Sequence, residues 1–177
     1  PKGVCICHLS LMNLVASYHE LSPSRLPPRG TLNAGLSFDV SIWEVFSRLL
    51  IGGSITIGIS GIDDISLLVN DIRENKISSI YVPAGVIGIF SDSLKSIQGN
   101  IKLQEILTGV EPLSCQVLRD FISLVEVPLI VNGYGPAECT ICSSWYVIRD
   151  AAPDGVIVPI GSPIWNTQIY VLDAGLG

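Results

Sequence analysis

The chain has 177 residues, enough for one ordinary domain with a real core and too few for two. Hydrophobic residues make up 48% and charged residues 15%, with a mean hydropathy of +0.52, so the chain is either mostly interior or a segment of something larger. A net charge of −6, with Lys and Arg scattered singly, offers no basic stripe for a phosphate backbone and argues against a nucleic-acid partner.

No apolar run reaches the roughly 20 residues of a membrane helix, so a membrane role is not expected. The five cysteines are an odd number in apolar contexts, without the density of a secreted disulfide framework, and they fit a reducing cytoplasm. The chain opens on "PKGV" with no initiator Met or signal pattern and stops at "YVLDAGLG", so a segment truncated at both ends is expected.

In chain order, "GVCICHL" and "SLMNLVASY" read as a short strand or turn entering a helix, with Ser10 a candidate N-cap. "LPPRG" breaks that helix, and "TLNAGLSF" reads as extended. "DVSIWEVFSRLL" has helical spacing from Asp39 or Ser41 and is stopped by Gly52 and Gly53. "SITIGI" alternates as a strand, "DISLLVNDIRENK" is an amphipathic helix, and "ISSIYVP" is a buried strand. A weaker helix, "AGVIGIFSDSLKSI", precedes the strand "LQEILTGV", the helix "SCQVLRDFISLV" and the buried strand "VPLIVNGYG". The last third predicts strands without helices between them, in "TICSSWYVI", "GVIVPIG" and "TQIYVLD". An alternating α/β section with a parallel sheet therefore runs into a β-rich section.

The chemistry concentrates where a strand runs out into "NGYGPAE", residues 132–138. Ligands of open α/β sheets bind beyond the carboxyl ends of the strands. Gly133 and Gly135 allow close backbone approach, Tyr134 offers a stacking face, Asn132 can hydrogen-bond a base edge, and Glu138 is a hard oxygen donor of the kind Mg²⁺ prefers. The alternative is a plain turn between strands. Asp39 likewise has two readings, a helix N-cap or a carboxylate that pairs with a buried amine.

Taken together, "PKG" at the start, "LSFDVSIWEVF", "NGYGPAE" and "PIGSPIWNTQIYVLD" occur in one order across nearly the whole chain. In this they resemble the amino-acid adenylation domains of non-ribosomal peptide synthetases, within the acyl-adenylate-forming, AMP-binding superfamily. The resemblance implies an ATP- and Mg²⁺-dependent ligase that makes an aminoacyl-AMP and pyrophosphate. It also implies transfer of the acyl group to a phosphopantetheine thiol of a carrier protein, in a synthetase that carries condensation domains as well. By the same resemblance Asn132 binds the adenine amino group, Tyr134 stacks on the ring, and Gly133, Gly135, Ala137 and Lys2 belong to the ATP/AMP site. Glu138 holds Mg²⁺, and Asp39 pairs with the substrate ammonium.

Val40, Trp43, Tyr81, Leu107, Gly109, Gly133, Ile141 and Cys142 would then surround the substrate side chain; their character suggests an apolar or aromatic amino acid, and the polar atoms of Tyr81 and Cys142 leave a hydroxylated one open. Absent the family, residues such as Trp43 and Ile141 are plain core. Two departures from the family's pattern stand out: Ala137 stands where the resemblance implies a Thr whose hydroxyl contacts phosphate, and Val110 where the family commonly has a Gly before Glu111. The downstream ribose-binding Asp and the Lys of a C-terminal subdomain have no counterpart here. The expectation is the central part of a large N-terminal subdomain, residues 1–177 forming a partial adenylation domain that is inactive alone. Other readings are an acyl-CoA ligase, an aminoadipate-reductase-like enzyme, or a non-catalytic nucleotide-binding remnant. Cys139 and Cys142 have CxxC spacing without a second pair, so a zinc site is not expected. His8 and His19 lack the partners of a hydrolase triad.

Overall fold

The computed structural model describes residues 3–22, 24, 26–57, 65–95, 101–109, 111–149, 153–173 and 175. Lys2 and Val110 lie outside them, as do residues 58–64 after the strand "SITI". The elements run α1 (His8–His19), β1 (Arg29–Leu32), α2 (Val40–Leu49), β2 (Ser54–Ile57), α3 (Ile65–Glu74) and β3 (Ser79–Tyr81). They continue with α4 (Ile87–Lys95), β4 (Glu105–Gly109), α5 (Cys115–Ile122), β5 (Leu129–Tyr134), β6 (Ser144–Ile148) and β7 (Ser162–Pro163).

A single sheet has the order β2-β1-β3-β4-β5-β6-β7, parallel through β5, with β6 and β7 antiparallel. The central strands are buried along their length, and successive residues point to opposite faces. Ile80, Ile106 and Ile130 therefore join the core under α3, α4 and α5. Tyr81, Leu107, Leu129 and Val131 join a second core with Leu14 and Tyr18 of α1 and Val40 and Trp43 of α2. The result is a mixed sheet covered by helices on both faces.

Helix α2 buries Val40, Trp43, Glu44, Ser47 and Arg48, the i, i+3, i+4 rows of one face. Arg48 is fully buried, with its guanidinium carbon 3.8 Å from the centre of a Trp43 ring. It donates to Ser79 Oγ at 2.8 Å, and Ser79 Oγ donates to Glu105 Oε1 at 2.7 Å. This charged chain ties α2 to β3 and β4, since a buried ion is tolerated only where it is paired. The helix ends as expected at the double glycine. Gly52 lies at φ +79°, and the Gly53 amide returns to Arg48 O at 2.8 Å.

Four local expectations change. Helix α1 starts at His8, and its N-cap position is Cys7 rather than Ser10, with no side-chain capping bond. "TLNAGLSF" pairs only as far as Leu32. It then turns, with the Phe38 amide donating to Gly35 O at 2.9 Å. "TICSSWYVI" becomes strand only at Ser144, because Thr140 and Ile141 take left-handed backbone at φ 64° and 69°.

The fourth is the extent of the β-rich end. Residues 155–161 pair as strand at one bridge alone, Ile157 to Ser114, and residues 167–173 join no ladder among the described residues. Alternation marks a strand only where a sheet edge receives it, and the two-residue β7 offers too little edge. Among the described residues no helix is long and apolar enough to cross a membrane. Cys5, Cys7 and Cys139 are exposed free thiols rather than residues of apolar surroundings.

Candidate functional site

Because β1, β3, β4 and β5 are parallel, their carboxyl ends share one edge of the sheet, where the turns after Leu32, Tyr81, Gly109 and Tyr134 gather. A cleft of about 550 Å³ opens there. Asp39, Ala137 and Ile141 line it, as do Leu11 of α1, Phe38 of the turn before α2, and Phe46 of α2.

Asp39 occupies the N-cap position of α2, yet its backbone is helical (φ −61°, ψ −30°) and its carboxylate makes no capping bond. A capping residue normally sits in extended backbone and accepts from the first turn. The capping alternative is therefore not taken, and the half-buried carboxylate faces the cleft. Burial raises its pKa, and the nearby Glu138 charge adds to the rise. The neighbouring Val40 and Asp39 amides offset only part of that rise, and a half-buried carboxylate in a part-apolar cleft favours a cationic partner.

Beside Asp39, six of the residues expected around a substrate side chain lie in one buried cluster: Val40, Trp43, Tyr81, Leu107, Ile141 and Cys142. Burial pushes the Cys142 thiol up to about 12, and raises the Tyr81 phenol well above its usual range. Both therefore stay neutral at pH 7. The two expected glycines sit opposite each other where β4 and β5 end. Gly109 holds φ +138°, and a side chain there would run into the Gly133 carbonyl. A Cβ on Gly133 would stand 2.7 Å from Cys142 Sγ and 3.3 Å from Leu107 Cδ1. The space that Gly133 leaves is thus filled by two other members of the same wall.

The loop after β5 folds back on itself. The Ser143 amide donates to Tyr134 O at 2.8 Å, and the Cys142 amide donates to Thr140 O at 2.7 Å. Gly135 permits this fold-back, since a Cβ would lie 2.6 Å from Ser143 N and 2.8 Å from Ile141 O. Here the close approach read from the glycine is made by the chain's own backbone. For a β-branched residue such as Ile141, left-handed backbone is an outlier, of the kind held where surrounding bonds over-determine it. Its effect is to turn Ile141 into the cleft beside Asp39.

Asn132 is buried, and its Nδ2 donates to Pro159 O at 2.8 Å. That bond fixes the amide and leaves Oδ1 as its acceptor group. Tyr134 ends β5 and is 51% exposed, so its ring offers a flat face to solvent; it does not line the cleft. Ala137, Glu138 and Cys139 form a 3₁₀ turn on which Glu138 is exposed. Among the described residues no group of three or more His, Cys, Asp or Glu is arranged to hold a metal. One exposed carboxylate nonetheless suits Mg²⁺, which binds through one or two carboxylates, with substrate phosphates and water completing its shell.

The structure adds residues to which the sequence reading assigned no role, although Phe38, Glu44 and Phe46 fall within "LSFDVSIWEVF". Leu11, Phe38 and Phe46 line the cleft, and the carboxylate of buried Glu44 accepts from the Asn33 and Ala34 amides. A visible signal existed for Glu44, a charge placed on the apolar rows of α2. Leu11 gave none, because α1 and the turn before α2 come together only in three dimensions, and Phe38 and Phe46 were marked only as members of the motif.

A family model described as AMP-binding enzyme matches residues 1–177. PKS-NRPS hybrid synthetase acdB of Aspergillus candidus is 34% identical over 99% of the chain. Gramicidin S synthase 1 of Brevibacillus brevis is 31% identical over 99%, and bacitracin synthase 1 of Bacillus licheniformis 28% over 98%. The chain spans only 7%, 15% and 3% of those three relatives, in the same order. Among solved structures, the Klebsiella oxytoca NpsA N-terminal subdomain in complex with 3-hydroxybenzoyl-AMSN superposes with a TM-score of 0.82 at 24% identity. All of this chain and 45% of that one are covered. An NRPS protein containing adenylation and PCP domains gives 0.83 at 27% identity, over all of this chain and 35% of that one.

Proposed function

The chain belongs to the AMP-binding enzyme family, and from that premise we propose that its parent protein activates an amino acid with ATP to an aminoacyl-AMP. The observation that carries this reading is Asp39, whose carboxylate lines the cleft without capping its helix. A substrate ammonium placed against it gains a charge-assisted hydrogen bond, worth most where water is excluded. The side chain then meets the cluster of Val40, Trp43, Tyr81, Leu107, Ile141 and Cys142. All of these are apolar or neutral, so an apolar or aromatic amino acid is the preferred substrate. A charged side chain would lose its hydration there without a partner.

At the other end of the site, Tyr134 offers its ring to adenine, and Asn132 Oδ1 accepts from the exocyclic amine. Gly133, Gly135 and Ala137 supply backbone along the nucleotide, and Glu138 holds Mg²⁺. Such a metal would supply charge neutralisation at the phosphates, where the amino-acid carboxylate attacks the α-phosphorus and pyrophosphate leaves. The residues of this chain bind and orient the two substrates. Lys2 would reach the phosphates, and the lysine of a further C-terminal subdomain belongs to another part of the protein. The aminoacyl group then passes to a phosphopantetheine thiol on a carrier domain, in a cytoplasmic synthetase that also carries condensation domains.

The test is amino-acid-dependent pyrophosphate exchange by the full-length protein. Asp39→Ala should lower kcat/KM for the amino acid by about 100-fold, the value of one charge-assisted contact with its partner left unpaired. Unchanged activation, or a preference for a charged amino acid, would overturn the assignment. Ala137 favours a second reading, in which the site binds nucleotide without chemistry, because it cannot donate the hydroxyl hydrogen bond that the family's Thr gives to phosphate. Calorimetric ATP binding with no exchange for any amino acid would establish that reading instead.

A further inference from the structure

We propose that Glu44 is a positioning residue of the substrate site: its carboxylate clamps the start of the turn that carries Phe38 and Asp39, and so sets where the ammonium-binding carboxylate stands. The role rests on the amino-acid-activating reading of the site. The clamp itself is a matter of geometry.

Glu44 is completely buried on α2. Its Oε2 accepts from the Ala34 amide at 2.8 Å and from the Asn33 amide at 3.1 Å, and Oε1 lies 3.3 Å from the Asn33 amide. Asn33 and Ala34 are the first residues after β1. The chain then makes exposed turns through Gly35, Leu36, Ser37 and Phe38 and reaches Asp39. Those four residues have few bonds of their own to the body of the fold. Phe38 N donates to Gly35 O, and Phe38 O accepts from Ser41 N and Ser41 Oγ, all within the turn and the first turn of α2. The turn is therefore held at two points, the start of α2 and the Glu44 carboxylate.

A buried carboxylate is costly, and the fold keeps one here where a glutamine would satisfy the same two amides. Its environment offsets part of that cost, although burial still outweighs it. Arg48, one turn along α2, contributes a favourable field, and Asn33 is secured further by its Nδ2 bond to Thr31 Oγ1 at 2.9 Å. Leu36 and Phe38, which follow the clamped residues, line the cleft beside Asp39. Without the clamp the turn loses its upstream anchor, and the cleft wall and the Asp39 carboxylate lose their fixed separation. The cost falls on substrate binding, which depends on a preorganised site, more than on the nucleotide half, which stands on β5 and its loop.

The experiment compares Glu44→Ala and Glu44→Gln in the full-length protein, with folding checked by circular dichroism. Glu44→Ala should raise KM for the amino acid by about tenfold, with KM for ATP within about twofold of wild type. Glu44→Gln, whose single oxygen can replace Oε2 and accept from both amides, should recover most of the loss. Amide hydrogen exchange at residues 33–39 should be faster in Glu44→Ala and close to wild type in Glu44→Gln. A folded Glu44→Ala protein with unchanged exchange at those amides would overturn the clamp. Equal rises in both KM values would also overturn the positioning role, because they indicate general loosening. If no amino acid drives pyrophosphate exchange even in the wild type, the amino-acid-activating reading fails, and the exchange rates still decide whether the clamp exists.

Discussion

Replacing Gly133 with alanine tests whether the wall built from β4, β5 and the loop after it is as close-packed as the geometry requires. A Cβ at this position would stand 2.7 Å from Cys142 Sγ, well inside ordinary contact, and 3.3 Å from Leu107 Cδ1. The sulfur sits on a buried side chain, so it must rotate into neighbouring core or push the loop outward. Overpacking of this kind costs about 1–3 kcal/mol. Removing the sulfur should return most of that cost, since Leu107 needs to give by only a few tenths of an ångström. Urea unfolding of Gly133→Ala, Cys142→Ala and the double variant, all in the full-length protein, forms a closed cycle. The expected coupling is at least about 1 kcal/mol in favour of the double variant, with the single Gly133→Ala the least stable. Additive effects, or a Gly133→Ala protein as stable as wild type, would show that Gly133 and Cys142 do not share this space. The same variants report on function: Gly133→Ala should shift the amino-acid preference toward smaller side chains, and the double variant should restore it.

Two further outcomes follow from the electrostatics and exposure of the site. Burial raises the Glu44 pKa to about 7 against an ordinary 4.5, so the native state holds a proton that the unfolded chain has released across that window. Its contribution is complete below about pH 4.5 and fades as pH rises through 7, with the opposing fields of Arg48 and the two amides limiting it to a few kcal/mol at most. Denaturant midpoints from pH 5 to 8 should therefore fall more steeply in wild type than in Glu44→Gln, and parallel curves would contradict the shift. Tyr134→Ala should weaken ATP binding about tenfold, the scale of one base–aromatic stack. It should move the thermal midpoint little, because the ring is half exposed. A large loss of stability with unchanged ATP affinity in calorimetry would make the ring a structural residue instead.

The alternating half of the fold was legible in the sequence because its signals are local and strong. Short apolar-centred runs such as "ISSIYVP" and "LQEILTGV" read as strands, the amphipathic stretches between them as helices, and the alternation of the two as a parallel sheet, which the central strands are. The terminal third read less well for a physical reason. Alternation in "GVIVPIG" and "TQIYVLD" describes a ribbon with two faces, whereas a strand also needs a neighbour along its length; the first run finds one only at the Ile157 bridge, and the second joins no ladder among the described residues. The start of β6 failed differently. Thr140 and Ile141 have the propensity of strand residues, yet the bonds that fold the loop back on Tyr134 force them into left-handed backbone.

The site shows the same division between what is local and what is not. Residues spaced by the helix period, Asp39, Val40 and Trp43, share the end of α2 by geometry alone, and strand register places Leu107, Gly109 and Gly133 beside them. What the sequence could not convey is which atoms occupy the space that a glycine leaves. Gly133 and Gly135 invited a ligand on paper, whereas in the fold their open faces meet Cys142 Sγ and the backbone of residues 141–143. The glycines therefore serve the site indirectly, by letting the loop close far enough to bring Ile141 and Ala137 against Asp39 in one cleft. A larger residue at Gly135 would act on substrate binding through that loop, without ever touching the substrate.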